Sequence, residues 1–168
     1  MEKRMMHGRR LEVHKVRRRN SMRYWHRIRN PLRVSVNFLV IYLCRFLPSL
    51  SLKNFFYRLI GINIGRDVSI GLMAMFDIFF PELIEIGDNT VIGYNATILA
   101  HEYLVGEWRK GSVRIGESVM IGANTTVLAG VEIGKGAMVS ACSLVNRDVK
   151  PGSFIGGVPA RELEREEP

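Results

Sequence analysis

Residues 115–134 read Ile115-Gly116-Glu117-Ser118-Val119-Met120-Ile121-Gly122-Ala123-Asn124-Thr125-Thr126-Val127-Leu128-Ala129-Gly130-Val131-Glu132-Ile133-Gly134, with an aliphatic residue at every sixth position. A period of six fits neither the 3.6-residue helix nor the two-residue alternation of a plain strand. It marks a parallel β-helix, in which each hexad supplies one flat side and one corner. The aliphatic side chain points inward and stacks on its counterpart in the next coil. The small residue after it sits where neighbouring backbones come close, or where an unusual φ is needed.

The same beat extends in both directions. Ile64-Gly65, Ile70-Gly71, Ile86-Gly87 and Ile92-Gly93 precede the stretch, Ile155-Gly156 follows it, and Phe76, Ile98, Val139 and Val145 fill steps without glycine. Three hexads per turn give about four to five coils, and a strand spacing of about 4.8 Å makes a prism about 20 Å tall. The phase slips between Phe76 and Ile86, near Pro81. Residues 101–113 break it altogether with charged and aromatic side chains, among them Glu102, Tyr103, Trp108 and Lys110. A dozen residues thrown out of a regular solenoid belong on a binding face.

The 168 residues suffice for one domain. Their net charge of +8 is unevenly spread: residues 1–33 hold twelve Lys and Arg against two Glu, and residues 34–168 hold twelve against fourteen Asp and Glu. Residues 1–33 therefore read as a basic arm. It is either a solvated, fraying terminus or a patch for anionic lipid, and nucleic acid is not expected as a partner. Residues 34–60 read as a helical capping segment. One helix runs from Val34 to Phe46 and ends at Pro48; the next runs from Leu52 to Ile60, with Ser51 as N-cap and Gly61 as the stop. Such helices would cover the open first coil. An alternative is a shallow membrane-resting surface built from Phe38, Leu39, Tyr42 and Phe46, with residues 1–46 as the contact region. The repeat occupies residues 61–158 with its excursion at 101–113, and residues 159–168 read as a short helical tail whose glutamates are solvated.

Val34–Leu47 falls short of the roughly 20 apolar residues that cross a bilayer. No signal peptide is expected, because the basic lead is too long and no small-residue cleavage site follows. Cys44 and Cys142 lack metal or disulfide spacing and read as buried, reduced thiols, which suits a cytoplasmic protein.

Of the four histidines, His7, His14 and His26 fall in the basic arm, where a site would lack a rigid frame. His101 stands where the repeat breaks into its excursion. A histidine there can accept a proton near neutral pH and return it; it can equally be a loop residue bonded to a neighbour. A three-histidine zinc site inside the repeat is excluded, since one histidine is available. No Walker loop and no serine nucleophile elbow is present.

The repeat, the run Ile92-Gly93-Tyr94-Asn95-Ala96-Thr97-Ile98-Leu99-Ala100-His101-Glu102-Tyr103, the later Ile121-Gly122-Ala123-Asn124 and the ending Gly156-Gly157-Val158-Pro159-Ala160-Arg161 together resemble the hexapeptide-repeat acyltransferases. The chain is most similar to the maltose and galactoside O-acetyltransferase branch and its small uncharacterised bacterial members, over about residues 61–165. The resemblance implies an all-β fold with a left-handed parallel β-helix, a homotrimer, and acetyl-CoA as cosubstrate in a groove between subunits, with no metal. It places the catalytic base on His101, the pantetheine-contacting backbone on Ala123 and Ala141, and contacts to the CoA phosphates on Arg147 and Arg161. Where the sugar enzymes carry an asparagine ahead of the histidine, this chain has Met75-Phe76-Asp77-Ile78-Phe79-Phe80. Asp77 is the nearest polar group, to orient His101 or bind an acceptor hydroxyl, or else a turn residue. The implied function is direct O-acetylation of a sugar or sugar-containing acceptor. Met73, Met75, Phe79, Phe80 and Trp108 leave room for an apolar or lipid-linked one. The alternatives are N-acetylation of an amino sugar or drug, and a non-catalytic trimeric scaffold with a membrane-binding arm.

Overall fold

The computed structural model describes residues 2–6, 8–17 and 20–164. His7, Arg18 and Arg19 of the expected arm, and Glu166 and Glu167 of the expected tail, lie outside the described residues.

The chain opens with a hairpin, β1 (Glu2–Met6) and β2 (Arg9–Lys15), followed by a short 3-10 turn and three helices: α1 (Trp25–Ile28), α2 (Pro31–Cys44) and α3 (Leu50–Leu59). The repeat then winds. The first coil is β3 (Asn63–Ile64), β4 (Ser69–Ile70) and β5 (Met75–Phe76); the second is β6 (Ile84–Ile86), β7 (Val91–Ile92) and β8 (Thr97–Ile98). The excursion carries β9 (His101–Tyr103) and β10 (Glu107–Lys110). The third coil is β11 (Val113–Ile115), β12 (Met120–Ile121) and β13 (Thr126–Val127), and the fourth is β14 (Glu132–Ile133), β15 (Met138–Val139) and β16 (Leu144–Val145). A partial fifth coil contributes β17 (Phe154–Gly156), and β18 (Arg161–Glu162) folds back antiparallel on it.

Strands of successive coils pair in parallel, so each flat face is a ladder. Ile64, Ile86, Ile115 and Ile133 stack on the first face. Ile70, Ile92, Ile121, Val139 and Ile155 stack on the second, and Phe76, Ile98, Val127 and Val145 on the third. All are buried. At about 1.5–3 kcal/mol for each buried aliphatic side chain, these ladders are the main favourable term holding the prism together.

The two needs that the small residues could serve are divided between two positions. The glycine straight after the isoleucine answers close approach: a Cβ on Gly93 would lie 2.7 Å from the Ala123 nitrogen and from the Ile121 carbonyl oxygen. The positive φ falls two residues later, on Asn89, Asn95, Ser118, Asn124 and Cys142 at 54–58°, where short polar residues tolerate the left-handed region best.

The first coil is closed by side chains of α2 and α3. Lys53 Nζ donates to the carbonyls of Ile70 and Gly71, Asn54 to Val68, Arg58 to Ile64 and Gly65, and Asn37 to Ile78. These carbonyls have no coil above them, and an unpaired buried backbone acceptor is costly. Burial lowers the Lys53 pKa despite these bonds. The helix boundaries differ from the sequence reading. Asn30 rather than Val34 opens α2, through a bond from the Leu32 N–H, and Ser49 rather than Ser51 caps α3.

Three expectations are corrected. Cys44 is buried as expected, but Cys142 is exposed, because it sits at a coil corner with φ 57°. Glu2–Met6 and Arg9–Lys15 do not fray: β2 pairs antiparallel with β10, extending the excursion into a four-stranded sheet in the order β1-β2-β10-β9. Leu11 and Val13 are each 2% exposed beneath it. The C-terminal tail shows no helix among its described residues; Arg161 and Glu162 form β18, because the Leu163 N–H reaches the Phe154 carbonyl and keeps the chain extended along the sheet.

Candidate active site

His101 opens β9 at the corner that follows the third face of the second coil. One coil earlier, the same corner holds Asp77, which is 1% exposed. The His101 Nδ1 and Asp77 Oδ2 atoms are 2.5 Å apart. The same Oδ2 accepts from the Ala100 N–H at 2.8 Å, and Oδ1 accepts from the N–H groups of Phe79 and Phe80 at 2.8 and 2.9 Å. Asp77 thus acts as a turn residue, organising the insertion that carries the phase slip (a 3-10 turn at Pro81–Leu83), and contacts the histidine as well.

Burial pushes the Asp77 carboxyl pKa up, but the hydrogen bond and charge of His101 and the backbone N–H groups of Phe80 and Ala100 outweigh it, and the net shift is downward. An ionised Asp77 can only accept, so Nδ1 must carry the proton facing it. That fixes the neutral ring as the tautomer whose Nε2 lone pair is free to act as a base.

Aromatic rings wall this imidazole. Phe79 and Tyr103 lie with ring centroids 4.7 and 4.8 Å away, and Phe80 at 5.9 Å. Trp108 stacks on Phe80 from one side and on His14 from the other, the latter at 4.0 Å. The Tyr103 hydroxyl is buried with no hydrogen-bond partner. Burial first, and the Asp77 charge second, push its pKa up to about 12, so it stays a protonated donor.

The hairpin holds the excursion against the coils. Arg9 is buried and forms a short ion pair with Glu102, beside His101. The Arg10 N–H donates to the Gly130 carbonyl at 3.1 Å, seating β2 on the third coil. His14 therefore does have a rigid frame. Burial, with Lys110 adding to it, lowers its pKa. Arg9 and His14 read in the sequence only as parts of the basic arm, and Tyr103 only as part of the excursion. The available signal was the short alternation Leu11-Glu12-Val13-His14, apolar then polar, which the surrounding basic residues masked.

The remaining expected site residues stand elsewhere. Register along the second face places Leu72, Tyr94, Ala123, Ala141 and Gly157 in one column at the corner after it. The Cys142 N–H donates to the Ala123 carbonyl at 2.8 Å, fixing the two alanines in successive coils. The column is bulky in the first two coils and small from Ala123 onward, which leaves a strip of accessible backbone. Arg147 lies at the third-face corner of the fourth coil, and Arg161 on β18; both are exposed. His101 and Asp77 are brought together; the alanine strip stands at a different corner of the same chain. Among the described residues no group of three or more His, Cys, Asp or Glu side chains is placed to hold a metal ion.

Residues 112–147 match the bacterial transferase hexapeptide (six repeats) family. The Bacillus subtilis (strain 168) protein named "Putative acetyltransferase YvoF" is 49% identical over 162 residues, which cover 95% of this chain and 93% of that protein. Among solved structures, a galactoside acetyltransferase in complex with coenzyme A superposes with a TM-score of 0.64 at 22% identity, covering 80% of each chain. The hexapeptide-repeat acetyltransferase VCA0836 of Vibrio cholerae, complexed with acetyl-coenzyme A, gives 0.62 at 21% identity, over 79% of this chain and 86% of that one. The chain belongs to the hexapeptide-repeat acyltransferases, and its prism is the left-handed parallel β-helix of that family.

Proposed function

We propose that the protein transfers an acetyl group from acetyl-CoA to a hydroxyl of a sugar or sugar-containing acceptor, in the cytoplasm and as a homotrimer. The carrying observation is the His101–Asp77 pair. Asp77 is the positioning residue, which holds the ring and steadies the charge it gains. His101 Nε2 takes the hydroxyl proton as the oxygen attacks the thioester carbonyl, and the proton then passes to the departing CoA thiolate. The acetyl C–S bond breaks as the new C–O bond forms, so no acyl-enzyme is needed.

The small column at Ala123 and Ala141 suits a thin pantetheine arm pressed against backbone, and Arg147 and Arg161 offer exposed cations to phosphates. His101 and the strip occupy different corners of one chain. That separation supports a site in which one subunit supplies the base and its neighbour the thioester groove. The half-buried Tyr103 ring lies beside His101, with Phe79 and Phe80 packed against the same imidazole, an apolar surround that suits the apolar face of a sugar ring.

Thiol release from acetyl-CoA, measured against a panel of hydroxyl and amine acceptors, tests the reading. Replacing His101 by Ala lowers the rate by about 10²–10⁴-fold with the oligomer intact, the usual contribution of a general base. Release that survives in His101→Ala overturns the assignment, and wild-type release with amines alone moves the acceptor class to amino groups.

A further inference from the structure

The outward face of α2 and α3 is apolar where a solvent-facing helix would be charged. Along α2 the stripe Leu32, Val36, Leu39, Leu43 repeats at helical spacing and continues into Phe46, all of them 48–73% exposed. The opposite stripe, Val34, Asn37, Ile41 and Cys44, is the one buried on the first coil. Phe38, Tyr42 and Phe46 form an aromatic ladder beside the outer stripe, with ring centroids 5.7 and 5.5 Å apart. On α3, Leu52, Phe55 and Leu59 repeat the pattern at 44–65% exposed. The two helices share this face: Leu32 and Val36 of α2 and Leu59 of α3 line one shallow hollow of about 300 Å³, with Arg33 at its rim.

Charge says what covers it. From Val13 to Arg66 the sequence contains no Asp or Glu and twelve Lys and Arg. Arg17, Arg23 and Arg27 are exposed on the segments leading into α2, and Arg33 is exposed in its first turn. A protein partner of ordinary composition has no need of so one-sided a rim, whereas an anionic bilayer meets both features at once, the acyl boundary taking the apolar stripe and the headgroups the arginines. Geometry sets the mode. No helix among the described residues is long and apolar enough to cross a membrane, and α2, with 14 residues, is about 21 Å long. A helix of that length suits a place along an interface rather than a crossing.

We propose that the outer face of α2 and α3 docks the protein on an anionic lipid surface. This stands apart from the assignment of acetyl transfer, since none of its residues touches His101 or Asp77. The test is co-sedimentation of the full chain with vesicles of phosphatidylglycerol and phosphatidylcholine, and with phosphatidylcholine vesicles alone, alongside the oligomeric mass in solution. Wild type sediments with the anionic vesicles and is released by salt. Leu39→Glu and Leu43→Glu each weaken this binding by about tenfold. Arg23→Glu with Arg27→Glu does so as well, while thermal stability and thiol release with a soluble acceptor stay as in wild type. Absence of wild-type binding, equal binding of the variants, or a smaller oligomer in Leu39→Glu, which would make the face a contact between copies, each overturns the proposal.

Discussion

Asp77 concentrates several functions in one carboxylate: two backbone N–H groups on one oxygen, a third N–H and the His101 ring on the other. Replacement by Asn keeps the shape but supplies no negative charge to hold Nδ1–H. Asp77→Asn is expected to lower kcat by about 10²–10³-fold with little change in KM, a split that a purely structural role would not produce. The pH dependence follows from the direction of its shift. The folded pKa lies below the ordinary 3.8, so the stability Asp77 contributes is complete above the ordinary value and is lost as pH falls through the folded one. Thermal unfolding from pH 7 to pH 3 should show a stability loss at the acid end of the wild-type curve that Asp77→Asn lacks. The sequence offered Asp77 as a residue to orient His101, bind an acceptor hydroxyl or make a turn, but not the contact itself. Their meeting depends on the insertion of residues 79–84, whose length no period predicts, and on Asp77 folding that insertion around its own side chain.

At the scale of elements, the coils were readable and the hairpin was not, for opposite reasons. Isoleucine and glycine repeat in the coils because both are forced there, the one by a shared core and the other by backbone contact. Gly93→Ala places a methyl 2.7 Å from two backbone atoms. It should cost about 1–3 kcal/mol, measured by chemical denaturation, as overpacking against an immovable neighbour does. Gly136 has a positive φ of 68° but open space around its missing Cβ, so Gly136→Asn should cost under about 1 kcal/mol. Residues 2–15 carry no such compulsion. Among the described residues of the hairpin, Leu11 and Val13 are the apolar side chains it buries, and an arm dense in arginine reads as solvated when two apolar side chains decide its placement. Because β10 pairs with β2 on one side and β9 on the other, deletion of residues 1–15 should raise amide exchange across 101–110 and lower the rate of acetyl transfer. Unchanged exchange there would show that the excursion stands without the hairpin.

The whole molecule poses a question that neither residues nor elements answer within one chain: how His101, the proposed base at one corner, meets a thioester proposed to lie at another. If each site takes His101 from one subunit and the Ala123–Ala141 strip from its neighbour, two different lesions should complement. Ala141→Trp, at an exposed position in the fourth coil, fills the strip without touching the His101 pocket, and His101→Ala removes the base without touching the strip. Each homo-oligomer should be inactive. When the two are unfolded and refolded together in equal amounts, a cyclic assembly pairs an intact base with an intact groove at about one site in four, because each of two independent choices succeeds half the time. Activity should therefore return to about a quarter of the wild-type level. A site contained within one chain would give none, since every chain carries a lesion. Recovery near a quarter would fix the composition of the site, and a persistent zero with intact mixed oligomers would place base and groove in the same subunit.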